Sequence, residues 1–174
     1  MNTDELIELV KLHGKSIYSF CYKLTGNKHE TDDLYQETFL RAVELQFKIN
    51  AAHNPKAYLL SIAVRVYKNH YRKLSRRRRI APIEELDEAS ATSRLSPFEA
   101  SPEDAALMLE SRTLIQQAVH RLDDKLKIPL YMHYTANMTV EEIAKALSIP
   151  TGTVKSRMHH ARQAIKKALE VESL

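Results

Sequence analysis

The segment "MTVEEIAKALSIPTGTVKSRMHHARQAIKKALE", residues 138–170, constrains the fold more than any other. Thr139 and Glu142 stand in the T-x-x-E spacing of a capping box, in which each side chain satisfies a backbone N–H at the other's position. Ile143, Ala144 and Leu147 give the helix that follows one apolar face. "SIP" ends it, because the residue before a proline is pushed out of helical geometry. Thr151 is then placed to cap a second helix. A short helix, a tight break and a second helix make a helix-turn-helix.

At 100° per residue along the second helix, Val154, Met158, Ala161 and Ile165 form one buried stripe. Ser156, His159, His160 and Gln163 lie opposite it, Lys155 and Arg162 flank that far face, and Arg157 sits on its other edge. Such a helix enters a DNA major groove by its N-terminal residues. Side chains at the centre of the face reach base edges, and flanking cations hold phosphates. Gly152 is one of only three glycines in the chain, and glycine costs about 1 kcal/mol against alanine inside a helix. In the first turn it removes bulk where the helix end approaches its target, and the free N–H groups there favour a phosphate. His159 and His160 point about 100° apart and have no third ligand at metal spacing.

Charge is distributed in blocks. Residues 1–80 hold 15 Lys and Arg against 8 Asp and Glu, residues 81–110 hold 1 against 8, and residues 111–174 hold 10 against 6. Two basic blocks therefore flank an acidic one, a pattern that speaks of partners rather than of fold. The acidic block, "APIEELDEASATSRLSPFEASPED", carries Pro82, Pro97 and Pro102 and lacks helical periodicity, so it reads as an extended linker over residues 81–104. Both flanking blocks have helical apolar spacing and no hairpin signal. The expected fold is all-α, with two small helical domains, residues 1–80 and 105–174, the second one a helix-turn-helix domain. No apolar run approaches the roughly 20 residues a membrane span needs. The single cysteine, Cys21, sits between Phe20 and Tyr22 and reads as a buried thiol. No Gly-rich phosphate loop, nucleophile motif or metal cluster is present in the sequence, so neither an enzyme nor a cofactor is expected.

The N-terminal block holds two helices of opposite character. From Lys48 to Arg79 there is no Asp or Glu. Asn54 and Pro55 give a helix start, with Asn as cap and Pro at the first helical position. Leu60, Ala63, Val64, Tyr67, Tyr71 and Leu74 then share one side. Tyr58, Ser61, Arg65, Lys68, Asn69, Arg72 and Arg76 share the other, with Lys73 in the same cationic run. Cations interleaved with an aromatic and an amide suit single-stranded nucleic acid, whose bases stack while its phosphates are held. In the preceding "TDDLYQETFLRAVE", Leu34, Tyr35, Phe39, Ala42, Val43 and Leu45 form the apolar half. Asp33, Gln36, Glu37 and Glu44 surround an exposed Leu40, a docking patch for a protein partner.

These stretches resemble three segments of the bacterial sigma factors of the extracytoplasmic-function type. "TDDLYQETFLRAVE" is similar to D-x-x-D-L-x-Q-E-T-F-L-R-A. "NPKAYLLSIAVRVYKNHYRK" is similar to the A-W-L-x-x-I-A-R-N segment. "MTVEEIAKALSIPTGTVKSRMHHAR" is similar to the helix-turn-helix segment L-S-x-x-E-I-A-x-x-L-G-I-P-x-G-T-V-K-S-R-L-x-R-A-R. The resemblance covers about residues 5–168. It implies a chain that binds core RNA polymerase and promoter DNA and is held by an anti-sigma factor in many relatives. Asp33, Gln36, Glu37 and Leu40 would then dock on polymerase. Asn54, Tyr58, Arg65, Lys68, Asn69, Arg72 and Lys73, with the loop "KINAAHN", would serve the melted −10 strand. Gly152, Lys155, Ser156, Arg157, His159, His160 and Arg162 would contact the double-stranded −35 element. The protein would act in the cytoplasm. Three departures stand out: Tyr58 replaces a usual tryptophan, Ser148 a usual turn glycine, and His159 or His160 a usual arginine. A plain repressor or activator would share the helix-turn-helix but has no need of the acidic docking helix or the single-strand stripe.

Overall fold

The computed structural model describes residues 3–45, 54–80 and 102–172. The acidic linker up to residue 101 and residues 48–53 of the "KINAAHN" loop lie outside the described residues, as do the side chains of Tyr71, Arg72, Leu74 and Arg76. Among the described residues there are seven helices and no strand: α1 Thr3–Thr25, α2 Lys28–Glu44, α3 Pro55–Ile80, α4 Pro102–His120, α5 Asp124–Tyr134, α6 Val140–Leu147 and α7 Thr151–Glu172. The all-α expectation holds. The last residues of the expected linker, 102–104, are not extended: they form the first turn of α4, where Pro102 takes the first helical position and costs no hydrogen bond.

Local chemistry sets the helix ends. α1 stops at Gly26, whose φ of +79° is left-handed and whose N–H donates to the Tyr22 carbonyl at 2.9 Å, the common glycine-terminated helix end. Asn27 then caps α2, its side-chain oxygen accepting from the Glu30 N–H at 2.8 Å. Thr31 and Thr38 are fully buried, which the sequence reading missed; their hydroxyls donate to the carbonyls of Asn27 at 2.6 Å and Leu34 at 2.6 Å. Asn54 caps α3 as expected, accepting from the Ala57 N–H at 3.1 Å. Pro55 is the first helical residue.

α1, α2 and α3 pack together, and α3 also packs on α6. Because α3 has neighbours on several sides, its buried sector is wider than the sequence stripe. Leu59 and Ile62 are buried along with Leu60, Ala63, Val64 and Tyr67. One core cluster runs from Ile17, Phe20 and Leu24 through α3 to Met132, Ile143, Val154 and Met158. Cys21 is fully buried in it, and burial pushes its thiol pKa up to about 12, so the thiol is unreactive in the folded chain. Val43 departs from the apolar half assigned to it: it is 48% exposed.

The helix-turn-helix is formed as read. Thr139 accepts from the Glu142 N–H at 3.2 Å while Glu142 accepts from the Thr139 N–H at 2.9 Å. One detail differs. Thr151 is the first residue of α7 rather than its cap, and the Pro150 carbonyl accepts from the N–H groups of Thr153 and Val154. Ser148 ends α6 in the left-handed region, φ 54° and ψ 46°, where a side chain is strained and glycine is not. Ser148→Gly is therefore expected to stabilise the chain by about 0.5–1 kcal/mol, raising the thermal midpoint by roughly 2 °C in a calorimetric melt. A lowered midpoint would show that the serine is not strained.

Candidate nucleic-acid interface

α7 carries the first surface. Val154 and Ala161 are fully buried and Met158 nearly so, which fixes the helix by its inner stripe. Lys155, Ser156, His159, His160 and Arg162 are exposed on the outside, and Arg157 is half-buried. Gly152 is exposed, and a Cβ there would meet nothing within 4 Å, so its value is not in relieving an internal clash. The His159 and His160 rings stand edge-on with centroids 6.0 Å apart.

A groove between α2 and α3 is the second surface. One wall presents Asp33, Gln36, Glu37 and Leu40, and the other Arg65, Asn69, His70 and Lys73. The structure thus brings two separately read sets of residues to opposite sides of one cleft. Asp33 and Gln36 are exposed, Glu37 is half-buried, and Leu40 is 61% exposed. Arg65, Lys68, Asn69 and Lys73 are exposed; Tyr58 is half-buried and packs against the core. Asn54 is exposed at the start of α3, with its amide engaged by α6.

The acidic wall is partly compensated, which the sequence reading passed over. Arg41 donates to Glu37 at 2.9 Å and to Glu44 at 2.8 Å; the i,i+4 and i,i+3 spacings were readable. His29 lies 3.2 Å from Asp33. Its pKa is raised, first by a hydrogen bond with its own backbone and then by the Asp33 charge. Arg41 is shared between two acids, and Glu30 also lines the groove on this side, so the wall stays acidic on balance.

A helix-turn-helix with an exposed basic face, joined to a helical unit whose groove sets acids opposite cations, defines a DNA-binding transcription protein in two parts. Residues 9–77 match the family Sigma-70 region 2, and residues 112–165 match Sigma-70, region 4. The ECF RNA polymerase sigma factor SigW of Bacillus subtilis is 33% identical over 175 residues, covering 95% of this chain and 89% of that protein. The ECF RNA polymerase sigma factor SigE of Mycolicibacterium smegmatis is 28% identical over 95% of this chain, which spans 62% of that protein's length. In fold, the chain is similar to the sigma factor RpoE solved in complex with the anti-sigma factor NepR from Bartonella quintana. That likeness has a TM-score of 0.78 at 20% identity and covers 97% of this chain and 99% of the solved one. The chain belongs to the sigma-70 family, as an ECF sigma factor that directs promoter-specific transcription initiation.

Proposed function

We propose that Asp33, Gln36, Glu37 and Leu40 dock this sigma factor on core RNA polymerase. Asn54, Tyr58, Arg65, Lys68, Asn69, Arg72 and Lys73 hold and read the melted −10 strand. Gly152, Lys155, Ser156, Arg157, His159, His160 and Arg162 engage the −35 duplex. The observation that carries this reading is the α2–α3 groove, where an acidic wall faces a cationic one. A basic protein partner and a DNA strand can be held there side by side, each by the wall of opposite charge. The functional division of the chain is residues 1–80, the acidic linker 81–104 and residues 105–174. The factor itself performs no chemistry; polymerase supplies it. It acts in the cytoplasm, where polymerase and promoters are, and no helix among the described residues is long and apolar enough to cross a membrane. An anti-sigma protein is its regulator, a reading supported by the NepR-bound relative.

The test separates strand capture from general attraction. Alanine at Arg65, Lys68 and Asn69 together is expected to slow promoter opening about tenfold, near 1.4 kcal/mol of barrier. Binding of the closed promoter should change by less than threefold. Rates are read with purified polymerase holoenzyme on an intact and on a pre-melted promoter. If closed-promoter binding falls as much as opening at every salt concentration, the stripe is only an electrostatic tether.

A further inference from the structure

His159 and His160 stand side by side on the outer face of α7, both exposed, with ring centroids 6.0 Å apart and planes at 62°. Their charged neighbours on that face are all cations: Lys155 lies four positions and Arg162 three from His159, and Arg157 lies three from His160. The helix carries no acid before Glu170, which is 3.9 Å from Lys166. Helices α4, α5 and α6 pack on α7, but on the side of Val154, Met158 and Ala161, away from the two rings. On those helices, Glu142 is engaged by Thr139 and Asn54, Asp124 by Lys127 and Tyr67, and His133 meets the Met138 carbonyl. Glu110, Arg112 and His120 of α4, Lys125 of α5, and Glu141 and Lys145 of α6 form no ion pair with either imidazole. The chain therefore offers the two rings no counter-charge of its own.

We propose that His159 and His160 read the −35 duplex as a proton-coupled pair, so that the sequence this factor prefers depends on pH. The proposal rests on the assignment of α7 to the −35 element. An imidazole changes charge between about pH 5 and 8. A duplex brings one phosphate charge per about 1.7 Å of its axis, which supplies the counter-charge that the chain lacks. Two imidazolium charges 6.0 Å apart repel one another, and a phosphate close to both relieves that repulsion. Binding therefore takes up protons, and affinity rises as pH falls. The proton also changes what the rings can read. A neutral imidazole has one donor and one acceptor, whereas the charged form has two donors and no acceptor. In the major groove guanine presents two acceptors, N7 and O6, while adenine and cytosine each present an amino donor. The neutral pair can accept from adenine or cytosine; the charged pair cannot, and it favours guanine.

The test is a selection by polymerase holoenzyme from a library of promoters randomised in the −35 region, run at about pH 6 and about pH 8 at one ionic strength. At the lower pH, guanine is expected to gain at least about fivefold at one or more positions. Affinity for the selected sequences should rise about tenfold, and the salt dependence should steepen by about one to two units of slope, about 0.9 for each imidazolium set against a phosphate. The His159→Gln, His160→Gln variant is expected to select one sequence at both pH values with one slope. Both positions are exposed, so this variant keeps its core, and the response of core enzyme itself to pH is common to both proteins. A parental chain with the same preference at both pH values overturns the proposal. So does a pH-dependent preference that survives in the double Gln variant. A change of affinity and slope with an unchanged preference reduces the pair to phosphate contacts and overturns base reading. If the parental chain and Lys155→Gln select no −35 sequence at either pH, the −35 assignment itself has failed and the pair's role with it.

Discussion

The Asp33→Lys, Glu37→Lys double variant is expected to lose binding to core RNA polymerase by at least a hundredfold while remaining folded. Asp33 is exposed and Glu37 half-buried on the acidic wall of the α2–α3 groove. Their partners within the chain are His29 and Arg41, both on the surface of the same helix. Breaking such surface pairs costs less than about 1 kcal/mol each, so a melt should shift by only a few degrees. Toward a basic protein surface the change is of another order. Each reversal turns an attraction into a like-charge contact, at a cost of several kcal/mol, and every 1.4 kcal/mol is about tenfold in affinity. Asp33→Asn with Glu37→Gln removes the attraction without adding repulsion and should lose less. Unchanged affinity for core enzyme in the reversal variant, measured by co-purification or fluorescence anisotropy, would remove this wall from the docking site.

The second large effect is expected on α7. Both Lys155 and His159 are exposed, His159 on the face away from Val154 and Met158 and Lys155 flanking that face, while the burial of Val154 and Met158 fixes the helix. Replacing either, Lys155→Gln or His159→Arg, should change which −35 sequence is preferred, by about 1–3 kcal/mol at one base pair. Arg162→Ala should behave differently, weakening all promoters alike and reducing the salt dependence by about one unit of slope. Gly152→Ala should be nearly silent, since the added methyl meets nothing in the protein. Gly152→Glu should not, because it places a charge where a phosphate approaches the helix N-terminus. Selection from a randomised −35 library decides the matter: if the Lys155 and His159 variants both keep the parental sequence, α7 does not read the bases.

Legibility followed the range of the interaction. The capping box of Thr139 and Glu142, the Asn54–Pro55 start, the break at Ser148 and the buried stripe of α7 are all local, and each is visible in a window of a few residues. α4 and α5 were not separated in the sequence reading. Pro129 sits inside α5, fully buried, and a proline in that position reads as a break unless packing holds the helix around it. The placement of Tyr58 shows the same limit. Its position on the cationic side of α3 was readable, but its half-burial against the core depends on neighbours distant in sequence.

By itself, the sequence determined the all-α class, the helix-turn-helix, the exposed basic face of α7 and the family, because these depend on period, caps and local residue order. Only the tertiary structure decided that the acidic face of α2 and the cationic face of α3 form two walls of one groove. It alone gave Glu142 a second partner in Asn54 and widened the buried side of α3 to include Ile62. These depend on which helices lie side by side, and periodicity says which face of a helix is buried without saying against what.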